Sequence, residues 1–336
     1  ARLLASVNGS GFTYPVRLSE GSVQVSASSP MRRRGSVSIA AEVGAPEADP
    51  FRTEIRAEYG ITRPNGTTYW VPVGTFVVTE NDESGPGLLS LKLEDRWRRV
   101  VNARFLVPVT TSGNTVAAIT SLLQGADGRI TVVDETGLGT THRPQLWERD
   151  RDKAILDLAK SIGAVVAFDP MGVARILPVG SLANPIAWRV YGGDGGVLVQ
   201  ARRGVSQGST YNAASVLGEP PDLPPVRSVR TLTTAGSPIR YGGPFASRPR
   251  FYRSPLIVTQ AQADVAADAL LARITGVAKT VSADTAPHPG LDADDVIEVE
   301  VGPGVYQLHL VDEFTLPLGP GVTSLSTRTS VVEEGE

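Results

Sequence analysis

The 336-residue chain contains no cysteine, only three histidines, and only four lysines among its 32 basic residues. The absence of cysteine excludes disulfide frameworks, thiolate zinc sites, iron–sulfur clusters and cysteine nucleophiles. The histidines are His142, His288 and His309, and no two of them lie four residues apart on a predicted helix, which disfavours a histidine-rich metal site. A chain of this length buries enough surface to fold without such a staple.

Strong net charge and long apolar runs are also missing. The 32 basic and 35 acidic residues give a net charge of −3 at pH 7, so no overall field favours binding to nucleic acid or anionic lipid. No apolar run approaches the ~18 residues that can span a bilayer, so we expect no direct membrane insertion. The lack of cysteine is compatible with assembly in a reducing cytoplasm.

Turns are frequent, because the chain has 35 glycines and 25 prolines. In the first third, short β-branched runs alternate with polar residues, as Val23 and Val25 do. Asn65-Gly66 between two such runs predicts a tight hairpin. We therefore predict that residues 1–110 form an antiparallel meander or barrel.

The period of the apolar residues changes to that of a helix in the middle of the chain. Asn114 can cap a helix near 114–124, and a second helix near 151–162 ends at Gly163. The runs on either side of a turn at 169–172 predict a hairpin over 165–177. Residues 111–186 are thus predicted to form a small α+β module.

The rest of the chain is predicted to be mostly β again. Residues 187–250 and 277–336 form the second β region, and a helical insertion at 251–276 interrupts it. Thr259 and Gln262 have the spacing of a capping box at the start of that helix. The glycine cluster at 192–196 lacks the Lys-Ser/Thr pair of a phosphate-binding loop, so we interpret it as a hairpin tip.

Two clusters of like charge could each be either a binding site or an ordinary charged surface. The consecutive arginines are Arg32, Arg33 and Arg34. They could bind phosphate, but three charges on one turn are too few to dominate such binding, so we interpret them as a solvated loop. The clustered aspartates are Asp292, Asp294 and Asp295. They could bind a hard cation, but the Gly and terminal Glu of a calcium loop are missing, which favours incidental surface charge.

Residues 204–208 (GVSQG) match the letters of a nucleophile elbow around Ser206, and His288 and His309 follow it in hydrolase order. An elbow needs an apolar strand before the serine and a helix after it. The preceding residues are Ala-Arg-Arg, and 209–216 is typical of a strand. We therefore predict no enzyme, no cofactor, and no catalytic, cofactor-binding or metal-binding residues.

Several dispersed segments occur in a distinctive order. They are VGTFVVTE at 73–80, the helix and hairpin at 152–177, YNAASVLG at 211–218, the alanine-rich helix at 260–274, and PHPGL at 287–291 leading to DDVI at 294–297. This succession resembles the phage tail-hub family, which includes baseplate hub proteins of contractile tails and the N-terminal region of tail-tip proteins in long non-contractile tails.

The resemblance implies a β-rich α+β fold with two tube-like antiparallel β-barrel domains, an inserted small α+β module and a helix-containing insertion. Three chains would then present six barrels around a lumen. This trimeric hub ring would adapt the sixfold tail tube or distal tail ring to the threefold tip and line the DNA conduit.

The implied location is the virion tail tip, after assembly in the host bacterial cytoplasm. The implied partners are further copies of the chain, tail tube or distal tail ring proteins, tip or fibre proteins, and a tape-measure protein in the lumen, with DNA present only in transit. Two alternatives stay open: a hexameric distal-tail or tube-like ring protein, and a secreted serine hydrolase or carbohydrate-binding β protein using Ser206.

Overall fold

The computed structural model describes residues 1–41, 44–206, 210–219, 224–274 and 278–329. Strands make up 48% of the structure and helices 15%, which confirms the predicted β-rich α+β class. The strands in chain order are β1 (Arg2–Val7), β2 (Tyr14–Val16), β3 (Leu18–Ser26), β4 (Arg33–Ala40), β5 (Thr53–Thr62), β6 (Thr68–Gly85), β7 (Leu88–Asp95), β8 (Val109–Asn114), β9 (Val132–Asp134), β10 (Thr141–Trp147), β11 (Ala164–Phe168), β12 (Ala174–Pro178), β13 (Ile186–Val190), β14 (Leu198–Ser206), β15 (Ala213–Gly218), β16 (Val226–Thr231), β17 (Pro249–Ser254), β18 (Ala278–Thr285), β19 (Val296–Gly302), β20 (Val305–Pro317) and β21 (Thr323–Arg328). The helices are α1 (Trp97–Asn102), α2 (Thr115–Ala126), α3 (Arg151–Ser161) and α4 (Gln260–Ile274), and a 3₁₀ turn occupies Pro46–Ala48.

The first barrel consists of β1 to β7. Neighbouring strands are antiparallel, in the lateral order β3-β4-β7-β6-β5-β1-β2. Only Arg17 separates β2 from β3, and the two strands run in the same direction. They act as one interrupted strand whose first part pairs with β1 and whose second part pairs with β4. This double pairing closes the sheet into a barrel and leaves only parts of β3 and β6 with an edge unpaired within the barrel.

The second barrel is closed in the same way. Its lateral order is β14-β18-β21-β20-β19-β13. The segments β13 and β14 run in the same direction, because β13 is parallel to β19 and each later neighbour around the ring is antiparallel. Together they are one interrupted strand that pairs with β19 at its start and with β18 at its end.

The two barrels have the same topology. In chain order β2–β3, β4, β5, β6 and β7 correspond to β13–β14, β18, β19, β20 and β21, and the lateral orders agree. The second barrel lacks an equivalent of β1, which explains why β13 pairs directly with β19 in parallel. Register shifts also coincide. One extra residue interrupts the pairing of β6 with β7 between Val78 and Glu80, and one interrupts the pairing of β20 with β21 between Val311 and Glu313. The chain therefore contains a duplicated barrel.

The interpretation of residues 192–196 as a hairpin tip is wrong. The backbone N–H groups of Val197 and Leu198 both donate to the carbonyl oxygen of Tyr191, each at 3.0 Å. The glycines thus form a loop that bulges out of one strand direction instead of reversing it. Gly193 and Gly195 have φ values of +82° and +73°, a region that glycine tolerates and other residues rarely adopt.

The α+β module follows the sequence prediction closely. Asn114 caps α2 by accepting a 2.8 Å hydrogen bond from the Ala117 N–H, and Gly163 ends the turn after α3 with a φ of +67°. Strands β11 and β12 pair as the predicted hairpin, with β9 added in parallel to β12. One apolar core holds α1, α2, α3 and this sheet together, and it includes Met31 from the first barrel.

The prediction that residues 187–250 belong to the second barrel is only partly right, because some of their strands form another sheet. Strands β15, β16 and β17 form a separate three-stranded sheet, in the order β16-β15-β17, and α4 packs on it. The predicted capping box of α4 is present, because Thr259 Oγ1 accepts from the Gln262 N–H and Gln262 Oε1 accepts from the Thr259 N–H, both at 3.2 Å. Alternation within the short β-rich runs of this region predicts strands, but it does not indicate whether they belong to one sheet or to two.

The barrels are fused through one hydrogen-bonded seam. Residues 313–317 of β20 pair antiparallel with residues 22–26 of β3, so a single sheet continues from one barrel into the other. Val23, Val25, Phe314 and Leu316 are at most 3% exposed in this seam and belong to one core that spans both barrels. Apolar burial therefore stabilises the junction as it stabilises the interior of a domain.

Replacing Phe314 with Ala should lower the free energy of unfolding by about 3–5 kcal/mol, because it leaves a cavity in the shared core. Phe51 is 93% exposed and provides the matched control, for which Phe51→Ala should change stability by less than about 0.5 kcal/mol. Denaturant midpoints of the two variants measure the difference. Equal midpoints would show that the seam is not part of a common core.

Candidate functional site

The most unusual feature of the fold is a group of arginines buried where the two barrels meet. The side chains of Arg32, Arg33 and Arg328 are 5%, 1% and 5% exposed. Only Arg34 of the consecutive arginines is exposed. The interpretation of 32–34 as a solvated loop is therefore wrong for its first two members. The loop before β4 is covered by residues 291–295 of the second barrel and by the α+β module.

The aspartates interpreted as surface charge are the partners of these arginines. Asp294 accepts from Arg32 Nη2 through Oδ2 and from Arg328 Nη2 through Oδ1, both at 2.5 Å. Asp292 Oδ2 lies 2.5 Å from Arg33 Nη2. Asp294 consequently joins an arginine of the first barrel to an arginine of the second. We name this cluster the junction network: Arg32, Arg33, Arg328, Asp292, Asp294 and Asp312, the last of which pairs with Arg328.

The junction network also contacts the α+β module. Arg33 donates through Nη1 to the carbonyl oxygen of Phe168, the last residue of β11. Arg32 donates through Nη1 to the carbonyl oxygen of Ala293 at 3.2 Å. The Arg33 guanidinium therefore contacts both the module and the second barrel, and the Arg32 guanidinium contacts the second barrel. Both side chains project from the start of one strand in the first barrel.

Local backbone geometry presents the aspartates to the arginines. Asp294 has a φ of +70°, which is rare for a residue with a side chain, and its N–H donates to the carbonyl oxygen of Val311 at 2.9 Å. The Asp292 N–H donates to Asp295 Oδ2 at 2.7 Å, which closes the turn. The turn thus fixes both carboxylates before they meet the guanidinium groups, and this reduces the entropy lost on pairing.

A second set of ion pairs ties the first barrel to the α+β module. Glu54, which is 5% exposed, accepts from Arg96 Nη2 at 2.8 Å and from Arg99 Nε at 3.1 Å. Arg96 also donates to the carbonyl oxygen of Gly172, and Thr75 Oγ1 donates to that of Pro170. The hairpin turn of the module is therefore held against the wall of the first barrel.

Burial perturbs two carboxyl groups beside these pairs. Burial raises the pKa of Asp95 to about 6, although the N–H groups of Arg33 and Trp97 donate to its oxygens and oppose the increase. Burial likewise raises the pKa of Asp295 to about 6, and the nearby charges of Asp292 and Asp294 contribute to the increase. Asp95 Oδ1 accepts the bond from Trp97, whose N–H is that of the first residue of α1.

The junction network borders an open cleft with a volume of about 640 Å³. Its walls come from the first barrel at Val71 and Pro72, from the module at Asp169 and Arg175, and from the 289–295 turn of the second barrel. Arg175 pairs with both Asp169 and Glu135 across the module wall. No group of three or more potential metal ligands occurs in the described part of the chain.

The structure does not bring the three residues of the hypothetical hydrolase together. The backbone of Ser206 ends β14, whereas His309 lies in β20, with β18 and β21 between the two strands. Three strand spacings of about 4.8 Å, measured around the barrel wall, put the two strands on opposite sides of the barrel. Their backbones are therefore much farther apart than the ~3 Å that a nucleophile and base require. His288 stacks on Trp188 in β13, at the opposite end of the interrupted strand. Residues 207 and 208 of the elbow sequence lie outside the described residues.

The remaining candidates have structural partners. His309 is completely buried, and its Nδ1 lies 3.0 Å from Thr327 Oγ1. His142 lies between Thr111 and Thr115, at 3.0 and 3.2 Å, and burial lowers its pKa.

None of the helices in the described ranges is both long and apolar enough to span a bilayer.

Comparison with solved structures identifies the fold. The chain superposes on a tail protein from Neisseria meningitidis MC58 with a TM-score of 0.68 at 13% identity, over 97% of this chain and 96% of that one. A 43 kDa tail protein of prophage MuSo2 from Shewanella oneidensis gives 0.63 at 13% identity, over 98% of both chains. The prophage tail protein gp18 from Listeria monocytogenes EGD-e gives 0.61 at 11% identity, over 98% and 95%.

These identities are low, so the likeness concerns the fold. It extends over almost the whole length of each protein and confirms, at that level, the resemblance to the tail-hub family. No protein-family model matches the chain, and no curated protein matches it in sequence.

The substitution Arg33→Met should lower the free energy of unfolding by about 1–3 kcal/mol, because it leaves the buried Phe168 carbonyl without its donor and removes the partner of Asp292. The neighbouring Arg34→Met is the matched control and should have almost no effect, since Arg34 is exposed. Denaturant unfolding compares the two. A similar small loss for both variants would show that the buried pairs do not hold the junction.

The raised pKa of Asp295 predicts an inverted pH dependence. Its folded-state pKa of about 6 exceeds the usual value of 3.8, so its stabilising contribution is full below pH 4 and is lost as the pH rises through 6. Asp295→Asn should therefore stabilise the protein at pH 7, by on the order of 1 kcal/mol for a half-buried group, and have little effect at pH 4. Unfolding midpoints at the two pH values test this, and destabilisation at pH 7 would contradict it.

Proposed function

We propose that this chain, which has the fold of phage tail proteins, is a structural component of a phage tail tip whose copies form a trimeric hub ring. The observation that carries the proposal is the duplicated barrel. Two barrels of one topology in one chain let three copies present six similar units around an axis. A threefold assembly can then match a sixfold ring.

The junction between the barrels supports this function. A closed ring requires a fixed rotation from each barrel to the next, because an angular error repeated around the axis leaves the ring open. The hydrogen-bonded seam and the junction network both oppose a hinge between the barrels. The relation of the two barrels within a chain is therefore set before assembly.

In this role the chain adapts the sixfold tail tube or distal tail ring to the threefold tip. Its partners are further copies of itself, a tube or distal-tail ring on one face, and tip or fibre proteins on the other. A tape-measure protein occupies the lumen before DNA passes. A net charge of −3 suits such a conduit, since a strongly basic wall would retain DNA through phosphate contacts.

The proposal includes a division of the chain into four units. They are the first barrel at 1–95, the α+β module at 96–185, the second barrel at 186–206 and 278–328, and a sheet-and-helix unit at 210–274. The last unit is larger than the helical insertion expected from the sequence, because β15 to β17 pack with α4. The virion tail tip is the proposed location, and assembly in the bacterial cytoplasm precedes it.

We also propose that the chain is not an enzyme. The separation of Ser206 from His309 and His288 opposes the hydrolase alternative. The hexameric distal-tail or tube-like ring remains the competing assembly, and it differs from the hub in having twelve barrels around the axis instead of six.

Mass photometry of the purified full chain distinguishes the assemblies. At 35.4 kDa per chain, three copies give about 106 kDa and six give about 212 kDa. We expect the smaller particle, because three duplicated barrels complete a sixfold ring. A predominant species at twice that mass would contradict the trimeric hub.

A further inference from the structure

The seam within the chain uses only one of two equivalent pairs of strand edges. Strand β20 of the second barrel pairs there with β3 of the first. By the topological correspondence of the barrels, β20 is equivalent to β6, and β3 is equivalent to β14. If the two barrels exchange roles in this contact, β6 of the first barrel of one copy pairs with β14 of the second barrel of another.

Extra residues at corresponding positions show which residues of the two barrels are equivalent. Thr79 is the extra residue where β6 pairs with β7, and Asp312 is the extra residue where β20 pairs with β21. In the same way, Ser19 is extra where β3 pairs with β4, and Val199 is extra where β14 pairs with β18. Residues 80–84 are thus equivalent to 313–317, and residues 202–206 are equivalent to 22–26.

Both of these edges are open within the described part of the chain. Strand β6 pairs with β5 only up to Val77. Beyond that point, the edge of β6 that faced β5 has no strand beside it over residues 80–84. Strand β14 pairs with β18 on one side and has no strand pairing on the other over residues 202–206. Unpaired edges of this kind are sites where another strand can add.

The two open edges carry opposite charges. Asp82 and Glu83 are exposed on β6, and Arg202 and Arg203 are exposed on β14. None of the four makes an ion pair in the described residues, whereas the adjacent Glu80 pairs with Lys92 across its own sheet. Such charges prevent indiscriminate edge pairing, and they also select a partner of the opposite sign.

We infer that residues 80–84 of one copy pair antiparallel with residues 202–206 of the next, with Glu83 opposite Arg203 and Asp82 opposite Gly204. This inference rests on the proposed ring and names the surfaces that close it. The contact is heterologous, since each copy contributes a different edge, so repeating it around an axis produces a ring.

The chemistry of the two contacts differs in a way that suits their roles. The position of Glu83 is occupied in the seam by Leu316, and that of Arg203 by Val23, each only 1% exposed. An apolar pair suits a junction that never opens. A charged pair suits an edge that is exposed to water until another copy arrives, because it keeps the free chain soluble.

Cysteine cross-linking tests the register directly, because the chain has no native cysteine. Chains carrying Glu83→Cys are mixed with chains carrying Arg203→Cys and oxidised. Residues directly opposite on paired strands are close enough for a disulfide, so the mixture should form at least about tenfold more covalent dimer than either variant alone. The control replaces Arg203→Cys with Val199→Cys, an exposed position four residues away on β14 that is too distant from Glu83 in the inferred register.

Charge exchange gives a second, independent test. Glu83→Arg or Arg203→Glu alone places like charges opposite each other and should raise the dissociation constant of the assembly by about tenfold or more. The two substitutions together restore opposite charges and should return it to near the original value. Both positions are exposed in the single chain, so the melting temperatures should be unchanged.

The outcomes separate this inference from the proposed function. Selective cross-linking in a trimer supports both, whereas selective cross-linking in a hexamer supports the edge pairing and overturns the trimeric hub. A trimer that cross-links no better at Arg203→Cys than at Val199→Cys overturns the edge pairing alone. Monomers without selective cross-links overturn both.

Discussion

The burial of Arg32 and Arg33 between the barrels is the constraint on which the rest of the structure depends. A guanidinium cannot leave water cheaply, and each of these is compensated by an aspartate of the 291–295 turn and by a backbone carbonyl. The arginines belong to the first barrel, and their partners belong to the second barrel and the module. The three units therefore cannot separate without leaving a buried charge unpaired. The junction is therefore specific in geometry as well as stable.

Because the barrel is duplicated, the rigid junction leaves one pair of equivalent strand edges unpaired. Each barrel has one edge of the β3 type and one of the β6 type, and a single chain pairs only two of the four. The paired edges are lined by apolar residues, and the open edges carry charges of opposite sign. Differences in residue type at equivalent backbone positions thus distinguish the permanent contact from the one left for assembly.

Local features of the fold were predictable from the sequence because they depend on neighbouring residues. The Asn114 cap, the Thr259 and Gln262 capping box, and the hairpin at 165–177 all follow from short-range hydrogen bonds and turn geometry. The closed barrels followed from the family resemblance, not from periodicity. Alternation identifies a strand, but it does not identify the strand beside it.

The junction network was missed because its members are about 260 residues apart in sequence. Arg32 and Asp294 each stand in a short run of like charge, and in isolation such a run is typical of a solvated surface. Two runs of opposite sign, each next to the start of a strand, were the available signal. Only the fold could bring them together. The direction of the chain through residues 192–196 was missed for the same reason, since parallel pairing of β13 with β19 fixes it.

Electron microscopy of the purified protein tests the central claim most directly, because it displays the number of barrels around the axis. Class averages viewed down the axis should show six lobes around an open centre, alternating between two kinds that share one outline. Particles with two lobes and no central opening would contradict a ring built from duplicated barrels.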